Sequence, residues 1–290
     1  MTTVAQVLVL GGLLGLIYTL AGLGMTLSMG VLKVLNLTHG MAVLGGSVLA
    51  YQFQQTWGVS PISAGLVALP LFSLLGWILY VTLVRRAQAV SPESALLVLF
   101  GAMIFLQAVT AEFWSGDIKS VTAAYSNKGL ELGSVVVPLD YLVAASVSLV
   151  LLGIIYTYLR FSLTGRAIRA LAQRPDAAAT LGIDVDLYSS LVFAASVGIA
   201  GTSGALLSTI IPFSVATQMI WLTYAFIVVL VGGTSGVLGA LVGGLALGLG
   251  QALFNELLSL KWVSVVVYAL LLVAMVARGG GLAAARERAI

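Results

Sequence analysis

No cysteine and only one histidine occur among the 290 residues. The first absence excludes disulfides, thiolate metal sites and cysteine nucleophiles. The second leaves His39 without the carboxylate a nucleophilic triad requires, since its neighbours are Thr38 and Gly40. Charge is almost as scarce: Lys, Arg, Asp and Glu make up 8% of the chain, against about 25% in a soluble domain. A net charge of +3 is too small to suggest nucleic acid as a partner. Neither a Walker A pattern nor an HExxH metal motif is present, so the sequence contains no catalytic residues, no metal site and no means of hydrolysing ATP.

What fills the chain is apolar. Hydrophobic residues make up 60% of it, and spans of about 20 residues leave room for a polytopic all-α membrane protein of eight to nine helices, forming one permease domain over residues 1–290. The apolar runs are approximately 4–32, 36–54, 62–84, 94–114, 139–159, 187–211, 221–235, 237–255 and 262–277. The first follows no basic segment and reads as a membrane helix, not a signal peptide. With nine crossings and an external N-terminus, ten basic residues fall inside and only Lys119, Lys128 and Lys261 outside. The C-terminus, carrying Arg278, Arg286 and Arg288, is therefore expected in the cytoplasm, as is the loop 160–186. The external loop 115–138 is expected to be ordered, as a β-hairpin or a short helix.

The cytoplasmic segment Arg160 to Asp186 is a long polar interruption with helical pattern. Thr164 can cap a helix on which Arg166, Arg169 and Gln173 share one face, while Ile168, Leu171 and Ala172 lie on another. Pro175 ends that helix and opens a second, Asp176 complements its positive N-terminal end, and Gly182 suits a left-handed cap. An Ala-rich solvated loop is the alternative.

Two runs have unusual lengths. Residues 4–32 exceed one untilted span, whereas 221–235 fall short and suggest a break near Gly232, Gly233, Thr234, Ser235 and Gly236. A comparable polar break, Asn36, Thr38, His39 and Gly40, opens the second run. Polar residues among glycines inside apolar sequence mark discontinuous helices that line a path. An interfacial cap formed by Asn36 or Thr38 is the alternative. Gly232, Gly236, Ala240, Gly244, Gly248 and Ala252 form a strip of small residues at spacing four, more often helix packing than ligand contact. The two breaks fall on the second and seventh runs, the opposite parity that an inverted repeat requires.

Three stretches carry a family resemblance over nearly the whole chain: GLIYTLAGLGMTLSMGVLKVLNLTHG, TGRAIRALAQRPDAAATLGID and GGTSGVLGALVGGLALGLG, in that order. The chain resembles the LivH-type permeases of the branched-chain amino acid group of ABC importers. The middle stretch is the most specific, and the resemblance implies that it docks on an ATPase subunit through Gly165, Arg166, Arg169, Gln173, Asp176 and Gly182. It also implies a second, LivM-like permease subunit, two ATPase subunits holding ATP and Mg, an external solute-binding protein, and a bacterial inner membrane location. Met41, Leu238 and Gln251 depart from the family pattern. They widen the implied solute from leucine, isoleucine or valine to other amino acids, urea, short amides or aromatic acids. A stand-alone secondary transporter or channel, and a purely structural membrane subunit, are the rival readings. Sparse intramembrane carboxylates weigh against the first, since Glu93, Glu112, Asp140 and Glu256 lie near span ends. The polar breaks weigh against the second.

Overall fold

The computed structural model describes residues 4–257 apart from 115, 127, 133, 134 and 235. The expected run 262–277, Lys261, the three C-terminal arginines and Ser235 lie outside the described residues. In chain order the helices are α1 (Val4–Leu32), α2 (His39–Trp57), α3 (Pro61–Leu79), a π-helical segment (Tyr80–Val84) leading into α4 (Arg85–Gln88), α5 (Pro92–Trp114), α6 (Leu139–Phe161), α7 (Leu163–Gln173), α8 (Pro175–Thr180), α9 (Val185–Leu207), α10 (Gln218–Gly232) and α11 (Val237–Leu257). Seven of the described helices are long and apolar enough to cross a membrane, with α3, the π segment and α4 counted as one. α2 is an eighth long helix, diluted by Gln52, Gln54 and Gln55. The protein is therefore a polytopic all-α membrane protein.

Helix α9 lies at the centre, with 89% of its membrane window buried against 17% for α5. Such enclosure needs small residues, because neighbouring helices in a membrane associate by close packing and not by excluding water. Gly204 packs on the Val43 backbone of α2, and a Cβ on Gly201 would strike Phe72 of α3 at 2.6 Å. Ser47 of α2 donates to the Gly204 carbonyl at 2.9 Å across this contact. The start of α9 is fixed by Asp184, whose carboxylate accepts from the Leu187 amide at 3.0 Å. Arg85 at the end of the long α3 helix pairs with Asp186 at 2.7 Å. On the outer side of the bundle, α3, α5 and α6 leave many apolar side chains exposed, including Leu74, Phe105 and Ile154. These suit lipid or further subunits.

In the loop 115–138 the hairpin alternative holds: β1 (Gly129–Leu132) pairs antiparallel with β2 (Val135–Pro138), Leu130 opposite Val137. Lys119 and Phe213 exchange backbone hydrogen bonds of 2.8 Å, tying this loop to the segment between α9 and α10.

Candidate functional site

The connection after α1 turns back into the membrane. Lys33 adopts φ 55°, a left-handed conformation that reverses the chain just past α1. Ser28 then donates to the Val34 carbonyl at 3.4 Å, and His39 lies 2.8 Å from the Ala21 carbonyl through Nε2. Only a donor fits opposite a carbonyl oxygen, so Nε2 carries the proton. Ala21 precedes Leu32 by eleven residues, which at 1.5 Å per residue places the start of α2 roughly 16 Å back from the C-terminal end of α1, about half the hydrocarbon thickness. Irregular backbone at that depth must be covered by protein, and Val34, Asn36 and Thr38 are buried here.

Some polar groups of this turn are held internally and others are left over. The Asn36 side-chain oxygen accepts from the Thr38 amide at 3.1 Å and from its hydroxyl at 2.6 Å. Thr38 is the N-cap of α2 but makes no side-chain cap bond, and Asn36 instead fixes the Thr38 residue just ahead of the helix. Asn36 Nδ2, His39 Nδ1, Ser196 Oγ and Gln218 Oε1 are buried with no partner among the described residues. Gly40 packs directly on the Gln218 carbonyl, and a Cβ there would also stand 3.1 Å from Leu222. Gln218 in turn donates to Gln107 of α5 at 3.2 Å. Asn36, Thr38, His39 and Gly40 therefore share one buried polar cluster between α1, α9 and α10.

The second break takes a different form and a different place. α10 ends at Gly232, and the chain reverses through Gly233 (φ 77°) and Gly236 (φ 94°), conformations that side-chain-bearing residues rarely adopt. A Cβ on Gly30 would meet the Thr234 carbonyl at 3.1 Å, so this turn sits beside the C-terminal end of α1. It lines a cavity of about 740 Å³ with Thr26, Arg160, Arg169 and Gln173. Thr234 and the Asn36–His39 cluster are thus placed at different depths, and Ser235 is outside the described residues.

The strip of small residues divides in the structure. Gly244 packs on Thr19 and Gly248 on Gly11 and Gly15 of α1, while Gly232 packs on Gly239. Gly236 meets open space, in contrast to the packing role expected of it, and its constraint is the positive φ. The complementary face Gly11, Gly15 and Thr19 was missed from sequence, although Gly11 and Gly15 stand at the same spacing of four. Also missed was a buried chain of polar contacts: the Tyr18 hydroxyl donates to Gln251 Oε1 at 2.7 Å, and Gln251 Nε2 reaches the Tyr224 hydroxyl at 3.4 Å.

Residues 160–186 form two helices, as the pattern predicts. Ser162 and not Thr164 is the cap of α7; it accepts from the Gly165 amide at 2.8 Å, and Thr164 lies inside the helix. Gly165, Ala167, Ile168 and Leu171 are buried, whereas Arg166, Arg169 and Gln173 are exposed on the opposite face. Gly165 has no room for a side chain, because the Leu159 backbone lies where a Cβ would be. Arg169 turns back to donate to the Leu159 carbonyl, capping the end of α6, whereas Arg166 makes no such bond among the described residues. Pro175 stands at the first turn of α8 with Asp176 beside it. Gly182 (φ 81°) ends α8: its amide bonds Ala179 O at 3.0 Å and that of Ile183 bonds Ala178 O at 3.1 Å, the paired closure of a Schellman motif.

Buried polar helix breaks within a bundle of crossing helices, together with an exposed amphipathic helix pair, are what a multi-pass transport permease requires. Over residues 7–276 the sequence matches the family described as branched-chain amino acid transport system / permease component, and the chain belongs to that family. It is 27% identical over 288 residues to the high-affinity branched-chain amino acid transport system permease protein LivH of Escherichia coli K12, covering 94% of this chain and 92% of that one. The LivH protein of Salmonella typhimurium is 26% identical over the same shares. A probable LivH of Methanocaldococcus jannaschii is 27% identical over 83% of this chain and 78% of its own length. No solved structure matches the chain.

Proposed function

We propose that this chain is the transmembrane subunit of an ATP-driven importer in a bacterial cytoplasmic membrane, carrying branched-chain amino acids or a related small polar solute. The supporting observation is α7–α8. Its apolar side is anchored in the bundle by Ile168, Leu171 and Ala178, and its polar side presents Arg166, Gln173 and Asp176 with Arg169 at the edge. A docking segment needs this combination of rigid attachment and free charge, because force on the exposed face must reach the transmembrane helices. Gly165 and Gly182 fix its two ends.

On this reading ATP and Mg reside on two separate ATPase subunits, this chain binds no cofactor, and a LivM-like second permease completes the membrane part. An external binding protein selects the solute. The buried cluster Asn36, Thr38, His39 and Gly40 borders the translocation path at half depth, and Thr234 borders it nearer the cytoplasm. A stand-alone transporter would leave the exposed face of α7–α8 without a task.

Arg166→Glu tests the reading. The variant should assemble with unchanged thermal stability, because Arg166 is exposed and makes no ion pair among the described residues, yet lose solute-stimulated ATPase activity through charge reversal at the docking face. Normal stimulation would refute the docking role.

A further inference from the structure

The cavity beneath α7 joins Arg169 and Gln173 of the docking helix to Arg160 and Thr26, which the docking role does not use. Arg160, in the last turn of α6, and Arg169 of α7 both line it, and no carboxylate does so among the described residues. Arg160 leans on aromatic surface, its guanidinium 5.9 Å from the ring centres of Tyr156 and Phe161, and donates to the Tyr156 hydroxyl at 3.0 Å. Gln173 and Thr26 add polar groups to the same wall. Gly236, Val237 and Leu238 belong to the start of the 21-residue α11, whose first turn contributes the partial positive charge of a helix N-terminus. The charged side chains around the space are both cationic, and they face the carbonyl ends of α1, α6 and α7 that border it as well.

The remaining lining is apolar, with Leu27, Val31, Leu159, Ile168 and Leu238 among it. Phe161 and Leu238 are 70% and 59% exposed. The space lies where α6 leaves the membrane on its arginine-bearing side, which the distribution of basic residues assigns to the cytoplasm. An inorganic anion would use only the polar corner. A phosphodiester joined to acyl chains would use both, since guanidinium groups grip phosphate through paired N–H donors while the aliphatic wall takes the chains.

We propose that this cavity binds the headgroup of an anionic phospholipid from the cytoplasmic leaflet, with Arg160 and Arg169 on the phosphate. A lipid seated there touches α7, α1 and the Gly233–Gly236 turn together, so that leaflet charge bears on the same elements that the docking helix moves.

The test uses the full chain with its co-purifying subunits in phosphatidylcholine nanodiscs doped with phosphatidylglycerol. Retained lipids are counted by native mass spectrometry after release. Phosphatidylglycerol should be retained about tenfold over phosphatidylcholine, the equivalent of one charge-assisted interaction. Arg160→Gln should abolish the preference, and Arg86→Gln, an exposed arginine of α4 outside the cavity, should keep it. Equal retention of the two lipids by the unmodified protein overturns the proposal, as does an equal loss in both variants. Inorganic phosphate displacing phosphatidylglycerol as effectively as a short-chain phosphatidylglycerol does would assign the pocket to a free anion and also overturn it. If Arg160→Gln fails to assemble, the lipid comparison on the unmodified protein decides alone. None of these outcomes depends on ATP hydrolysis, so they are separate from the docking role.

Discussion

Replacing Gly248 by Ala adds one methyl group to α11 at a place where three backbone atoms of α1 already stand. The new Cβ would lie 2.5 Å from Gly15 Cα, with Gly11 O and Gly15 N in the same clash. Carbon atoms settle at about 3.5–4.0 Å, so α1 and α11 must separate by roughly 1 Å. Backbone cannot swing aside as a side chain can, and the two helices pack along much of their lengths. A separation of that size forfeits about a quarter to a half of the dispersion energy of each contact in the seam. The expected loss is about 1–3 kcal/mol, the usual range for overpacking. Gly250 supplies the control two residues along the same helix, because a Cβ there meets nothing within 4 Å. Gly250→Ala should leave stability unchanged or raise it by about 0.5–1 kcal/mol through helix propensity. Unfolding of the two purified variants in detergent should therefore differ by at least about 1 kcal/mol, about fivefold in the folded-to-unfolded ratio. Indistinguishable variants would refute the close approach of α1 and α11.

Gln251→Leu should destabilise the chain by about 1 kcal/mol, near the value of an interhelical hydrogen bond in a membrane, and adding Tyr18→Phe should recover part of the loss; additive losses in a double-mutant cycle would show that the pair is not coupled. Cysteine at Asn36 and at Thr234, in a chain otherwise free of cysteine, should change its reactivity toward a membrane-impermeant thiol reagent between nucleotide-free and nucleotide-trapped states of the purified complex. Constant labelling at both positions would remove these breaks from the moving path.

Much of the architecture was legible because membrane helices announce themselves by length and apolarity, and because Pro175 and Gly182 have few conformations open to them. The cap of α7 was harder to place. Ser162 and Thr164 are both competent, and what decides is the backbone, extended at Ser162 (φ −76°, ψ 159°) and helical at Thr164. Depth was not legible at all. Hydropathy registers that Asn36, Thr38 and His39 interrupt an apolar stretch, but not that Lys33 sends the chain back beside Ala21, since that depends on contacts between residues far apart in sequence. The central position of α9 is recorded in residue size, through Gly198, Gly201 and Gly204, and a scale of polarity does not read size. For the same reason the glycine face of α1 drew no notice until its partner on α11 was in view.

The π-helical segment Tyr80–Val84 bears on how this protein tolerates insertion and deletion. A π turn holds one residue more than the α turn it replaces, while the helices on either side keep their facing. Tyr80 and Val84 are buried within it, Tyr80 with its ring centre 5.9 Å from that of Phe193, and Arg85 follows directly with its bond to Asp186. Loss of one residue inside Tyr80–Val84 would let an ordinary α-helix run straight through, leaving both flanks in register with α9. The same loss anywhere in Pro61–Leu79 would rotate one flank by about 100° and swing either Arg85 or the Gly65 and Gly76 contacts off α9. The segment is thus slack in a long span that otherwise has none.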